Sequence, residues 1–115
     1  MMKIFKKYKL EIREFNGSLS VVTQDSQLRI LSHFIDFWNK PKDIREDLLP
    51  ELEKVLNGSF SYTDIGADVI GVAYVEPGIT KLIGSELGFS NMELPTVDFK
   101  DLIMEWLTFL ESQGR

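Results

Sequence analysis

The run Asp68-Val69-Ile70-Gly71-Val72-Ala73-Tyr74-Val75-Glu76-Pro77-Gly78-Ile79-Thr80-Lys81-Leu82-Ile83 decides the fold class of this chain. β-Branched and aromatic residues dominate it, and they suit the pleated surface of a sheet. Glu76-Pro77-Gly78 breaks the run, because proline presets a turn conformation and glycine accepts a positive φ. Two antiparallel strands are therefore expected, Asp68–Val75 and Ile79–Ile83. The first is apolar on both faces, which predicts a central strand covered on both sides. A third strand is expected at Ser59–Thr63, with Gly66 as a turn before the central strand. Gly71 reads as a point of close approach by a neighbouring side chain or backbone. Gly84 to Glu93 is mixed in composition and reads as a loop with room for a short edge strand.

Upstream of these strands the period is helical. After Asp25, a good N-cap, Leu28, Leu31, Phe34, Ile35 and Trp38 recur on one side until Pro41 stops the helix. A second helical stretch carries Ile44, Leu48, Leu52, Val55 and Leu56, with Pro50 inside it, so two short pieces or a kinked helix are expected. Asn57-Gly58 reads as its C-terminal stop. Near the N-terminus, Asn16-Gly17 lies between alternating apolar runs, a strong signal for a two-residue hairpin. Strands are expected at Lys3–Phe15 and Ser18–Thr23, with Ile12 facing Val21 and Leu10 facing Thr23. Lys3, Lys7 and Lys9 would then guard an exposed strand face against unwanted pairing.

Downstream, Thr96 reads as the N-cap of a last helix, with Asp98 and Asp101 in the first turn favouring the positive end of its dipole. Phe99, Leu102, Ile103, Trp106 and Leu110 form its core stripe. The expected order is ββ-α-α-βββ-α: an α+β fold, an antiparallel sheet of about five strands with helices packed on it. A length of 115 residues without internal repeats or linkers reads as one domain over residues 1–115.

The apolar fraction and eight phenylalanines suit a real core. Cysteine is absent, which excludes thiol catalysis, cysteine zinc sites and disulfides, and suits a reducing cytoplasm. Met1-Met2-Lys3-Ile4-Phe5-Lys6-Lys7-Tyr8-Lys9 is positive but has no apolar region behind it, so it does not read as a signal peptide. No apolar run approaches a membrane span, and a soluble cytoplasmic protein without membrane contact is expected. Asn16-Gly17-Ser18 and Asn57-Gly58-Ser59 spell glycosylation sequons, but without a secretory signal they read as a turn and a helix end.

Charge is unevenly placed. Residues 1–15 carry five basic and two acidic side chains, a balance of +3, whereas residues 16–115 carry eight and sixteen, a balance of −8. Between Ser59 and Gln113 only Lys81 and Lys100 oppose nine carboxylates. Such a field repels nucleic acid and anionic lipid and steers basic partners. The general alternative is that acidity keeps a small protein soluble.

Catalytic signatures are weak. The single histidine, His33, could act as a base oriented by Asp36, yet it lies among Leu31, Phe34, Ile35 and Phe37 and reads first as a helix residue at the core edge. One histidine and no cysteine make a transition-metal site improbable. Gly84-Ser85-Glu86-Leu87-Gly88 places serine second rather than third, unlike a nucleophile elbow. Gly66-Ala67-Asp68-Val69-Ile70-Gly71 lacks the Gly-Lys-Ser/Thr ending of a phosphate loop. No carboxylates stand at a recognisable metal-ligand spacing. No catalytic residue, metal or cofactor is therefore expected.

Gly66-Ala67-Asp68-Val69 entering a strand, with the ending Leu94-Pro95-Thr96-Val97-Asp98-Phe99 and Trp106-Leu107-Thr108-Phe109-Leu110, resembles bacterial immunity proteins of polymorphic toxin and contact-dependent growth inhibition systems. The resemblance implies a stoichiometric inhibitor of a cognate toxin C-terminal domain, basic and of nuclease type. An acidic inhibitor can fill a basic cleft as a phosphate mimic without catalytic residues of its own. The residues expected to make that contact are Asp64, Asp68, Glu76, Glu86 and Glu93, with Tyr62, Tyr74 and Phe89 as exposed aromatic anchors. Two alternatives stand beside it. One is a small enzyme using carboxylates and His33, which requires a pocket joining His33 to acidic residues of the sheet half. The other is a homodimeric regulatory or scaffold domain pairing through the Phe37-Trp38 side of the first helix.

Overall fold

In a computed structural model, which describes residues 2–115, the chain begins with a short helix, α1 (Lys3–Lys7), and a hairpin, β1 (Glu11–Phe15) and β2 (Ser18–Val22). A helical region follows: α2 (Arg29–Phe37), α3 (Pro41–Asp43), a π-type turn over Ile44–Leu48, and α4 (Leu49–Leu56). Then come β3 (Thr63–Gly66), β4 (Gly71–Val75), β5 (Ile79–Gly84), β6 (Met92–Pro95) and the last helix, α5 (Thr96–Ser112). The fold is α+β and its sheets are antiparallel.

Strand number and grouping differ from expectation. There are two sheets, β1-β2 and β3-β4-β5-β6, rather than one of about five strands. The hairpin packs on α2 instead of joining the larger sheet. Asp36 of α2 accepts the backbone N–H of Val21 at 3.0 Å, which gives that strand group a partner without another strand. The hairpin turn itself forms as read: Asn16 and Gly17 both have positive φ, and Ile12 faces Val21.

The expected strand at Lys3–Phe15 is a helix over its first part. Phe5 is buried, and the N–H groups of Ile4 and Phe5 donate to the Glu105 carboxylate of α5. A five-residue helix is unstable by itself, so these tertiary contacts override the alternation. The lysines therefore do not guard an edge strand.

Corrections in the sheet half have local causes. Ser59–Thr63 is not a strand, because Phe60 N–H donates back to the Lys54 carbonyl to close α4, and pairing starts only at Thr63. Gly66 ends β3 rather than forming the turn. The turn lies at Asp68, which has φ 51°, and the Ile70 N–H donates to the Ala67 carbonyl. β4 thus starts at Gly71 and is central, but covered on one side only: Ala73 and Val75 are buried while Tyr74 is exposed. A Cβ built on Gly71 would lie 2.2 Å from the Ile83 carbonyl oxygen, the close approach expected there.

Helices α2, α4 and α5 cover the inner face of the larger sheet. The stripe Phe99, Leu102, Ile103, Trp106 and Leu110 is buried, as the spacing predicts. Trp106 donates its ring N–H to the Trp38 carbonyl at 2.8 Å, tying α5 to the end of α2. The second helical stretch is one continuous run from Pro41 to Leu56, and Pro50 inside it follows directly on the π-type turn Ile44–Leu48, a local irregularity of the helix bonding just before the proline. Thr96 is not an N-cap: it is buried at the start of α5, donating to the Glu76 carbonyl and bonded to the Thr80 hydroxyl at 2.8 Å.

Candidate interaction surface

The four-stranded sheet presents the other face outward, and strand alternation selects its members. Residues of one parity in β3, β4, β5 and β6 pack inward (Ile65, Ala73, Leu82 and Leu94 among them). The opposite parity forms cross-strand rows. Asp64 pairs with Tyr74, Tyr74 with Lys81, and Lys81 with Glu93, so a single row crosses all four strands. Beside it lies Gly66–Val72–Ile83, and Ile79 pairs with Pro95 at the other side.

Three of the expected contact residues, Asp64, Tyr74 and Glu93, therefore share one row and are exposed. Tyr62 joins them, 51 % exposed, with its hydroxyl 3.3 Å from the Asp64 carboxylate. The charge of Asp64, and then that hydrogen bond, push the Tyr62 phenol above its usual range. Glu76 follows Tyr74 by two residues and is exposed in the β4–β5 turn. Asp68 and Glu86 belong to two loops that adjoin at the opposite end: the β5–β6 loop donates from Ser85 and Leu87 to the carbonyls of Ile70 and Val69 in the β3–β4 turn.

Phe89 does not belong to this surface. It is half-buried and stacked on His33, with ring centroids 4.6 Å apart, so it is no exposed anchor. Sequence reading also passed over Lys81, Val72, Ile79 and Ile83, which complete the face. Their signal was available: the Pro77-Gly78 turn pairs β4 with β5, and parity with Tyr74 then places all four outward.

The carboxylates sort into two groups by what they touch. Asp25, Asp98, Glu11, Glu53 and Glu111 form ion pairs, Glu51 accepts the Thr63 hydroxyl, and Asp36 and Glu105 accept backbone N–H groups. Among the described residues, Asp64, Glu76 and Glu93 form no ion pair, as is also true of Glu14, Asp43, Glu46, Asp47, Asp68, Glu86 and Asp101 elsewhere on the surface. The outer sheet face thus carries carboxylates that folding leaves available.

The alternatives have different geometry. His33 and Asp36 line a cavity of about 230 Å³ with Ser20, Val21, Val22, Thr23, Arg29 and Ser32, and no carboxylate of the four-stranded sheet reaches it. Asp36 is already engaged with Val21. On the Phe37-Trp38 side, Phe37 is exposed and packs edge-on against a half-buried Trp38. Among the described residues no three His, Asp or Glu side chains converge as metal ligands, and no helix is long and apolar enough to cross a membrane. Compared with protein families, curated proteins and solved structures, the chain matches none.

Proposed function

We propose that this chain is an immunity protein that binds and neutralises a cognate bacterial toxin domain of nuclease type through the outer face of its four-stranded sheet. The observation that carries the reading is the row Asp64–Tyr74–Lys81–Glu93 with Tyr62 and Glu76 beside it: exposed acidic groups that form no ion pair among the described residues, interleaved with exposed tyrosines. Tyrosine supplies rigid contact area at low entropic cost, and carboxylates supply steering toward a basic cleft. A nuclease cleft is basic because its substrate is a polyanion, and the same field repels nucleic acid from the inhibitor. In this reading the protein acts in the cytoplasm as a non-catalytic, cofactor-free partner in a one-to-one complex.

The test is co-purification with the toxin domain encoded beside its gene, at low and high salt, together with survival of cells expressing that toxin. A one-to-one complex that protects cells and weakens with salt is the expected result. Reversal to Asp64→Lys with Glu93→Lys should weaken it by at least about tenfold, since like charges across an interface are strongly unfavourable. No complex, or one indifferent to these reversals, overturns the proposal.

A further inference from the structure

Along the row, the four side chains are not electrically equivalent. Lys81 faces Glu93 on the neighbouring strand, so those two charges offset one another. Asp64 is separated from Lys81 by Tyr74, two strand spacings away, or about 10 Å. At physiological salt, exposed charges that far apart are largely screened from each other. Asp64 is therefore the uncompensated end of the row.

Its surroundings are aromatic on two sides. Tyr62 precedes it by two residues and holds one carboxylate oxygen, Oδ2, at 3.3 Å. Tyr74 lies across from it in register, 41 % exposed. The other carboxylate oxygen, Oδ1, has no hydrogen bond among the described residues. A carboxylate with a free oxygen between two exposed rings matches one side chain above others. Arginine is planar, pairs with carboxylates through its forked N–H groups and stacks on aromatic faces. Lysine is a hydrated point charge: it can pair with a carboxylate and sit over a ring, as Lys54 does over Phe60, but it has no forked N–H groups and cannot stack flat on the ring.

Resting on the proposal that this face binds a basic protein, we infer that Tyr62, Asp64 and Tyr74 form a receiving subsite for an arginine of that partner, its guanidinium paired with Asp64 and stacked on a tyrosine ring.

The full chain is titrated, by NMR, with two capped pentapeptides, Gly-Gly-Arg-Gly-Gly and Gly-Gly-Lys-Gly-Gly, into the tens of millimolar. The arginine peptide should move the ring signals of Tyr62 and Tyr74 and the Asp64 amide. It should bind about two- to fivefold more tightly than the lysine peptide, the size of a cation–π preference at an exposed site. Asp64→Asn should abolish the response, while Tyr62→Phe, which keeps the ring, should retain part of it. Equal responses to both peptides, shifts elsewhere, or no shift would each sink the arginine subsite. A failed titration beside a salt-sensitive toxin complex removes only the subsite; a positive titration with no toxin complex removes only the immunity reading.

Discussion

Glu105 Oε1 accepts the backbone N–H of Phe5 at 3.1 Å, across a hundred residues of chain, and its Oε2 accepts the N–H of Ile4 at 3.2 Å. The first turn of a helix has unpaired donors and a partial positive charge. Here the carboxylate that satisfies both comes from another helix. Phe5 is thereby held in the core beside α5.

Replacing that carboxylate should free α1 first. We expect Glu105→Ala to lower stability by about 1–2 kcal/mol, the range of a lost helix cap, and Glu105→Gln by less. Urea denaturation gives the magnitude. Hydrogen exchange at the Ile4 and Phe5 amides should accelerate in the alanine variant while that of the Leu82 amide barely changes. Unaltered exchange at residues 4 and 5 would show that Phe5 burial alone holds the helix.

A pH dependence follows from the neighbouring cluster. Asp98 accepts the Tyr8 hydroxyl at 2.6 Å and Lys7 Nζ at 2.9 Å, and these bonds hold its carboxyl below the usual value. Its contribution is complete above the unfolded pKa of about 3.9 and is lost as pH falls through the depressed folded value. Burial, then the bond to Asp98, pushes the Tyr8 phenol above its ordinary 10.0. That contribution is complete below pH 10.0 and declines as pH rises toward the folded value. Thermal melts from pH 3 to 11 should fall off at both ends, and Tyr8→Phe should flatten the alkaline decline. An identical alkaline limb in that variant would argue against the assignment.

Gly71 has no room for a side chain, whereas Gly78 has nothing within 4 Å of its built Cβ. Gly71→Ala should cost about 1–3 kcal/mol or more, because the Ile83 carbonyl belongs to a paired strand that cannot retreat alone. Gly78→Ala should change stability little. Comparable melting temperatures for the two variants would contradict the close β4–β5 approach.

The Thr96 hydroxyl is buried between Glu76 and Thr80, so its loss strands two partners at once. Thr96→Val preserves shape and should cost about 1–3 kcal/mol, while Thr96→Ser keeps the hydroxyl and should cost less. Equal losses from valine and serine would mean that methyl packing, not the bond network, matters at this position.

Local chemistry made several elements legible. Asn16-Gly17 tolerates positive φ, and Asp25 accepts the Gln27 N–H at the head of the α2 region. The α5 stripe repeats at helical spacing from Phe99 to Leu110 within a 17-residue helix, too long for chance alternation to mimic. Other errors were errors of extent. Val69 and Ile70 look like strand residues, but their backbones turn, and their side chains are half-buried beside it.

The candidate surface was half legible. Composition located an excess of acids in the sheet half. Only register showed that Asp64, Tyr74, Lys81 and Glu93 stand in one row, because alternation orders residues within a strand but not across strands. Phe89 failed as an anchor for a similar reason: nothing in its own neighbourhood of sequence announces His33, some fifty residues earlier, as its stacking partner.

Sequence by itself determined the α+β class, the two hairpin turns and the buried stripe of α5, because each follows from backbone preferences and periodicities acting over a few residues. Tertiary structure alone decided that Lys3–Lys7 coils into a helix, that the strands divide into two sheets, and which carboxylates are drawn into ion pairs and hydrogen bonds. Those outcomes depend on groups distant in the chain, Glu105 for α1 and Asp36 for β2, whose desolvated polar partners must be satisfied wherever packing brings them together.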